Sequence, residues 1–183
     1  MSRFYTENGF EGSRYDRNLT TTDISKEIRK YVKKEFPDYK FSVRTSSFAG
    51  GSSICVSLME YPVELTNHDR MRKYLDEHFN RDYDWVYTPT HGDMVYNQMT
   101  EEQKNDAVDY RVENIGYDQL NNYHLDSATW INPEILKVLK DVNNYVNSFN
   151  YDDSDSMTDY FDVNFYYSME IGRGYDHPAK LVA

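Results

Sequence analysis

Residues 40–58 read Lys-Phe-Ser-Val-Arg-Thr-Ser-Ser-Phe-Ala-Gly-Gly-Ser-Ser-Ile-Cys-Val-Ser-Leu. Phe41, Val43 and Thr45 share one face of the first half, and Ile54, Val56 and Leu58 share one face of the second. Period-two alternation describes strands with one buried and one wet face. Between the halves, residues 46–53 read as a hairpin loop, with Gly50-Gly51 giving the backbone its freedom. The stretch predicts two antiparallel strands, and the neighbouring segments are helical.

Upstream, Thr20 to Asp23 supply N-cap candidates for a helix that runs to Phe36 and stops at Pro37. Ile24, Ile28, Tyr31, Val32 and Phe36 fall on one face; Lys26, Arg29, Lys30, Lys33 and Lys34 line the other. Downstream, Met71, Tyr74, Leu75, His78 and Phe79 mark a helix beginning near Thr66 or Asn67. Residues 80–99 read as irregular. Thr100-Glu101-Glu102-Gln103 is a capping box opening a third helix, and Asn132-Pro133 opens a fourth. Phe161, Val163, Phe165, Tyr167, Met169 and Ile171 then alternate with polar residues, which predicts one long strand. At the front, Asn8-Gly9 between Phe4-Tyr5 and Phe10 predicts a β-hairpin over Arg3–Tyr15. The expected fold is α+β: an antiparallel sheet with helices packed on one side, plus this N-terminal hairpin.

The 183 residues suit one domain. Within it we distinguish an arm (1–18), a core (20–60 and 150–172) and an acidic helical insertion (61–149). The lone Cys55 excludes an internal disulfide framework and a multi-thiolate zinc site. Met1–Phe10 lacks the apolar region of a signal peptide, and no run approaches membrane-spanning length. A cytoplasmic location, with no membrane partner, is the expectation.

The net charge of -11 is unevenly spread. Residues 1–58 carry ten Lys/Arg against seven Asp/Glu; residues 59–183 carry ten against 24. A basic front fits phosphate, and an acidic remainder fits a basic groove. Arg3, Tyr5, Arg14, Tyr15 and Arg17, extended by Lys30, Lys33 and Lys34, are therefore candidate RNA contacts. Arginine neutralises phosphate and tyrosine stacks on unpaired bases. Arg44, beside the glycine loop, is a further candidate. Asp152, Asp153, Asp155, Asp159 and Asp162 are candidates for docking on a basic partner. They fail the EF-hand template, although aspartate clusters can hold Mg²⁺. The residues define no metal set and no cofactor, and the five scattered histidines select no acid–base pair.

Phe36-Pro37-Asp38-Tyr39-Lys40-Phe41-Ser42-Val43-Arg44-Thr45, followed by Gly50-Gly51-Ser52-Ser53-Ile54, resembles a large polyvalent protein-associated domain. Met157-Thr158-Asp159 before the final alternating stretch is similar to that family's last strand. The resemblance implies a protein of phages or conjugative elements. In size and charge the chain is also similar to anti-CRISPR proteins that inhibit type II effector nucleases. That implies a bacterial host cell, with the effector and its guide RNA as partners, and interference with or truncation of the guide. The alternatives are an acidic DNA mimic that blocks the effector's DNA or PAM groove without chemistry, and a metal-dependent nuclease or conjugation accessory protein. A strand over 161–171, if it lay at a sheet edge, would pair across a homodimer.

Overall fold

The computed structural model describes residues 4–6, 9–155, 157 and 160–182. Arg3, Asn8 and Asp159 lie outside them, so the hairpin turn at Asn8 and those two candidate side chains are not described. The elements are β1 (Phe10–Glu11), α1 (Thr21–Glu35), β2 (Lys40–Phe48), β3 (Gly51–Tyr61), α2 (His68–His78), β4 (Trp85–Thr88), β5 (Gly92–Val95), α3 (Glu101–Asn114), β6 (Asp118–Leu120), α4 (Pro133–Asn147), β7 (Tyr151–Asp152), β8 (Tyr166–Ile171) and β9 (Lys180–Leu181).

The fold is α+β. Its main sheet runs β2-β3-β8-β6, and β9 pairs with the end of β3. β2 and β3 pair antiparallel, from Lys40 opposite Glu60 to Phe48 opposite Gly51. The strands therefore run almost to the tip, and the loop is shorter than residues 46–53. Gly50, at φ +94, makes the turn that a side chain would strain. β8 lies parallel to β3, with Ser53 opposite Tyr166 and Leu58 opposite Ile171, while β6 pairs with β8 antiparallel. The parallel pairing of β3 with β8 follows from the long helical crossover between them, because parallel strands cannot be joined by a tight turn, and β9 also runs parallel to β3.

Helix starts follow their caps. Thr20 and Asp23 form a reciprocal capping box for α1, Asn67 caps α2, Thr100 and Gln103 box α3, and Asn132 caps α4 ahead of Pro133. Each cap satisfies backbone N–H groups that have no partner within the helix. Ile24, Ile28 and Val32 of α1 cover the face of the sheet carrying Val43, Ile54, Val56 and Leu58. Ile135, Leu139, Val142 and Val146 of α4 bury into the same core. The opposite sheet face is polar. The registers align Ser42 with Ser57, Arg44 with Cys55, Cys55 with Ser168 and Ser57 with Glu170.

Two expectations change. The last strand starts at Tyr166, not Phe161. Residues before it pair with the loop after α4: Asp153 N donates to the Asp162 carbonyl at 2.9 Å and Asn164 N to the Tyr151 carbonyl at 2.8 Å. Phe161 is left 61% exposed. β8 lies between β3 and β6, but β6 covers only Met169–Ile171, and the outer side of Tyr166–Ser168 has no strand partner among the described residues. Residues 80–99 are not irregular throughout, because β4 and β5 form a hairpin from Trp85 opposite Val95 to Thr88 opposite Gly92.

Candidate nucleic-acid interface and docking face

The arm crosses the C-terminal end of α4. Gly12 N donates to the Asn150 carbonyl at 2.8 Å and Arg14 N to the Ser148 carbonyl at 2.7 Å. The approach is close enough that a Cβ on Gly12 would lie 2.3 Å from the Ser148 oxygen. This placement puts the Arg14 guanidinium 4.9 Å from the centre of the Tyr145 ring and 5.9 Å from that of Phe149. Tyr145 in turn stacks on Tyr31 of α1, with centroids 3.7 Å apart and planes at 3°. Tyr15 stacks on Tyr151 at 5.2 Å. Arm, α1 and α4 thus share one guanidinium and tyrosine stack, an arrangement stabilised by cation–π attraction.

The basic residues around this stack are not equally available. Lys30 pairs with Glu27 at 2.7 Å and Lys34 with Glu35 at 2.8 Å, and these carboxylates raise both lysine pKa values. Lys26 pairs with Asp23 at 3.2 Å. Exposed pairs of this kind exchange partners at little cost. Arg17 and Lys33 are exposed, and neither forms an ion pair among the described residues. Arg44 stands apart, on the polar sheet face away from α1. Its guanidinium lies 3.1 Å from Glu170 and 3.3 Å from the Cys55 sulfur, and Ser57 Oγ donates to Glu170 at 3.1 Å. The structure therefore gathers Arg14, Tyr15 and Lys30 about the stack but separates Arg44 from them.

The aspartates have mixed roles. Asp153 is 3% exposed, and its carboxylate accepts from Tyr5 N at 2.6 Å, Thr6 N at 2.8 Å and Thr6 Oγ1 at 2.6 Å. Burial alone would push its carboxyl pKa up, but these hydrogen bonds outweigh burial and hold it below the usual range. Asp153 fastens the arm and is not a surface charge. Asp152 Oδ1 accepts from Ser154 N and Asp155 Oδ1 from Met157 N, both at 2.9 Å, as turn-forming side chains do. Asp162 is exposed, with Tyr160 Oη at 3.4 Å. Tyr5 packs on Tyr160 at 4.9 Å, beside this loop and not beside Arg14. Among the described residues, no three His, Cys, Asp or Glu side chains converge as metal ligands.

A cleft of about 680 Å³ opens beside the arm, lined by Phe10, Glu11, Tyr123, Asn144, Asn147 and Asp152 among others. Its amides and rings offer hydrogen-bonding and stacking groups next to the arm. The sequence reading missed Tyr145 and Tyr123. Tyr145 could have been found from the helical spacing of α4, where it precedes the buried Val146.

Residues 19–119 match the family described as large polyvalent protein associated domain 29. The match runs continuously through 61–119, the larger part of the expected insertion, and stops before α4. No curated protein and no solved structure matches the chain.

Proposed function

The chain belongs to the large polyvalent protein associated domain 29 family, and from that premise we propose that it is a mobile-element anti-defence protein. It inhibits a type II CRISPR effector nuclease through the guide RNA, by interfering with the guide or causing its truncation. The observation that carries this reading is the stack of Arg14, Tyr145 and Tyr31; Arg17 of the arm and Lys33 of α1 are exposed cations on the same two elements. Guanidinium over aromatic rings, with lysines nearby, suits a single-stranded RNA backbone with unpaired bases. The charge division supports the same reading. A basic front meets RNA while a body with 24 acidic residues after position 58 meets the basic nuclease.

The test is guide integrity. Effector, guide and this protein are incubated together, and the guide is run on a denaturing gel beside a DNA-cleavage assay. The wild-type protein is expected to shorten or displace the guide and to abolish DNA cleavage. The R14E/R17E/K33E variant should lose most of that effect. An intact, bound guide with lost DNA binding would point instead to an acidic DNA mimic. An intact guide with undiminished cleavage would overturn inhibition altogether. A parallel reaction in EDTA reads any need for Mg²⁺.

A further inference from the structure

The hairpin over residues 81–95 presents a row of rings. Tyr83, Trp85 and Tyr87 are 65, 57 and 45% exposed, while the alternating Val86 and Thr88 are buried. The buried positions fix the hairpin and leave the ring positions outward. Tyr87 packs on Tyr110 of α3 with centroids 4.9 Å apart, so the aromatic surface continues onto the helix. Arg81 lies 5.6 Å over Tyr83 and donates to its hydroxyl at 3.1 Å. Adjacent exposed apolar rings mark interaction sites, and Trp and Tyr are the residue types that anchor interfaces.

Charge around the rings selects the partner. Asp93 lies directly opposite Tyr87 in the ladder. Asp82 is in the preceding turn, where the Asp84 carboxylate accepts from Arg81 N at 2.8 Å. On α3, Asp106 is one turn before Tyr110 and Glu113 almost one turn after it. One Asp106 carboxylate oxygen is buried without a hydrogen-bond partner among the described residues. That oxygen is out of solvent, so Asp106 adds negative charge beneath the face and not a contact on it. Nearby cations are engaged: Arg81 lies on Tyr83, and the half-buried Arg111 lies over Phe79 at 5.3 Å. A phosphate backbone would be repelled by this fringe, whereas guanidinium groups would meet both ring faces and carboxylates.

We infer that the β4–β5 hairpin, with the adjoining flank of α3, is a docking face for a Lys/Arg-rich protein surface. As the site that meets the effector nuclease it rests on the function proposed above; as a receptor for basic polypeptide it does not. The two probes are therefore octa-arginine and the guide-free effector nuclease, each titrated calorimetrically into the full chain, with oligouridylate as a third ligand. Trp130 is 4% exposed, so a change in the emission of solvent-exposed tryptophan reports Trp85. The W85A/Y87A variant keeps Val86 and Thr88 and is expected to retain its melting temperature. It should bind both basic probes at least tenfold more weakly. D93K leaves the rings in place and guards against misfolding of the double variant; it should weaken both probes severalfold. Octa-arginine binding that both variants retain at wild-type strength would overturn the inference. So would oligouridylate, not octa-arginine, binding in a Trp85-dependent way. Variant-sensitive octa-arginine binding without any nuclease binding by the wild type would sustain the docking face and remove the effector as its partner.

Discussion

Two small sheets flank the main one, and they are built in opposite ways. β4–β5 is local: its strands are separated only by Pro89, Thr90 and His91, and Thr88 Oγ1 accepts from His91 N at 3.0 Å within the turn. Its own Val86 sinks into the core, so the hairpin can hold Trp85 and Tyr87 in solvent. β1–β7 joins Phe10 to Asp152 and Glu11 to Tyr151 across most of the chain. It has two residues in each strand and depends on the Asp153 carboxylate and on rings such as Phe4 against Tyr151 at 6.0 Å. A hairpin anchored by burial displays a rigid surface. An arm held by polar bonds is attached conditionally, because closing so long a loop is opposed by chain entropy. The charges differ as well: Arg14 and Arg17 mark the arm side, Asp82 and Asp93 the hairpin side.

The largest expected effect comes from the residue on which the arm's partner loop is anchored. Phe165 is fully buried where the chain leaves that loop and enters β8. Phe165→Ala should destabilise the whole domain by about 3–5 kcal/mol, the usual range for such a truncation. Urea unfolding measures it, and an unchanged midpoint would mean the loop is not anchored there. On the hairpin side the expected effect is smaller. Tyr96 is buried and its N–H donates to the Asp84 carbonyl at 3.0 Å, while its hydroxyl donates to Asp76 at 2.9 Å. Burial first, and the Asp76 carboxylate second, push its phenol pKa far up and keep it neutral. Tyr96→Phe removes the hydroxyl and keeps the ring, so the loss should be about 1 kcal/mol with the hairpin intact. Loss of the Trp85–Val95 ladder amides from hydrogen-exchange protection would contradict that.

The contrast between local and distant contacts also explains what could be read in advance. Helix boundaries were legible at Thr20, Thr100 and Asn132, because a cap and its helix are neighbours in sequence. The β2–β3 pairing was legible because Val43 and Val56 alternate on either side of a glycine turn. Residues 161–165 kept the right alternation but met a different partner, the loop after α4, which no local pattern names. The β4–β5 hairpin was missed because Pro89 and Gly92 read as loop punctuation, although Trp85-Val86-Tyr87-Thr88 already alternated. Of the candidate site, Arg14, Tyr15 and Lys30 were found from charge and aromaticity. Tyr145, which Arg14 covers, comes from a helix more than 100 residues later. Asp153 was grouped with its acidic neighbours because composition cannot show that Tyr5 and Thr6 fold back onto it.

The smallest expected change in global stability belongs to that carboxylate, and its main effect is on the arm. Asp153→Asn leaves a single acceptor oxygen where two now serve Tyr5 and Thr6. The melting temperature should stay close to wild type, while amides of residues 9–15 lose protection and trypsin cuts after Arg14 and Arg17 several times faster. The same release should be reached by acid. Because the folded carboxyl titrates below its ordinary value, its contribution is complete above the unfolded pKa of about 4. It is lost as the pH falls through the lower, folded value. Protection of the arm relative to that of β3 should therefore hold steady at pH 6 and drop below about pH 4. The N-terminal amides of D153N should show no such step. D162N is the control, since Asp162 is exposed and its carboxylate accepts no hydrogen bond from the arm's backbone among the described residues. An arm that stays protected in D153N would show that the ring contacts of Phe4 and Tyr15 suffice, and would erase the distinction between a burial-anchored hairpin and a polar-clamped arm.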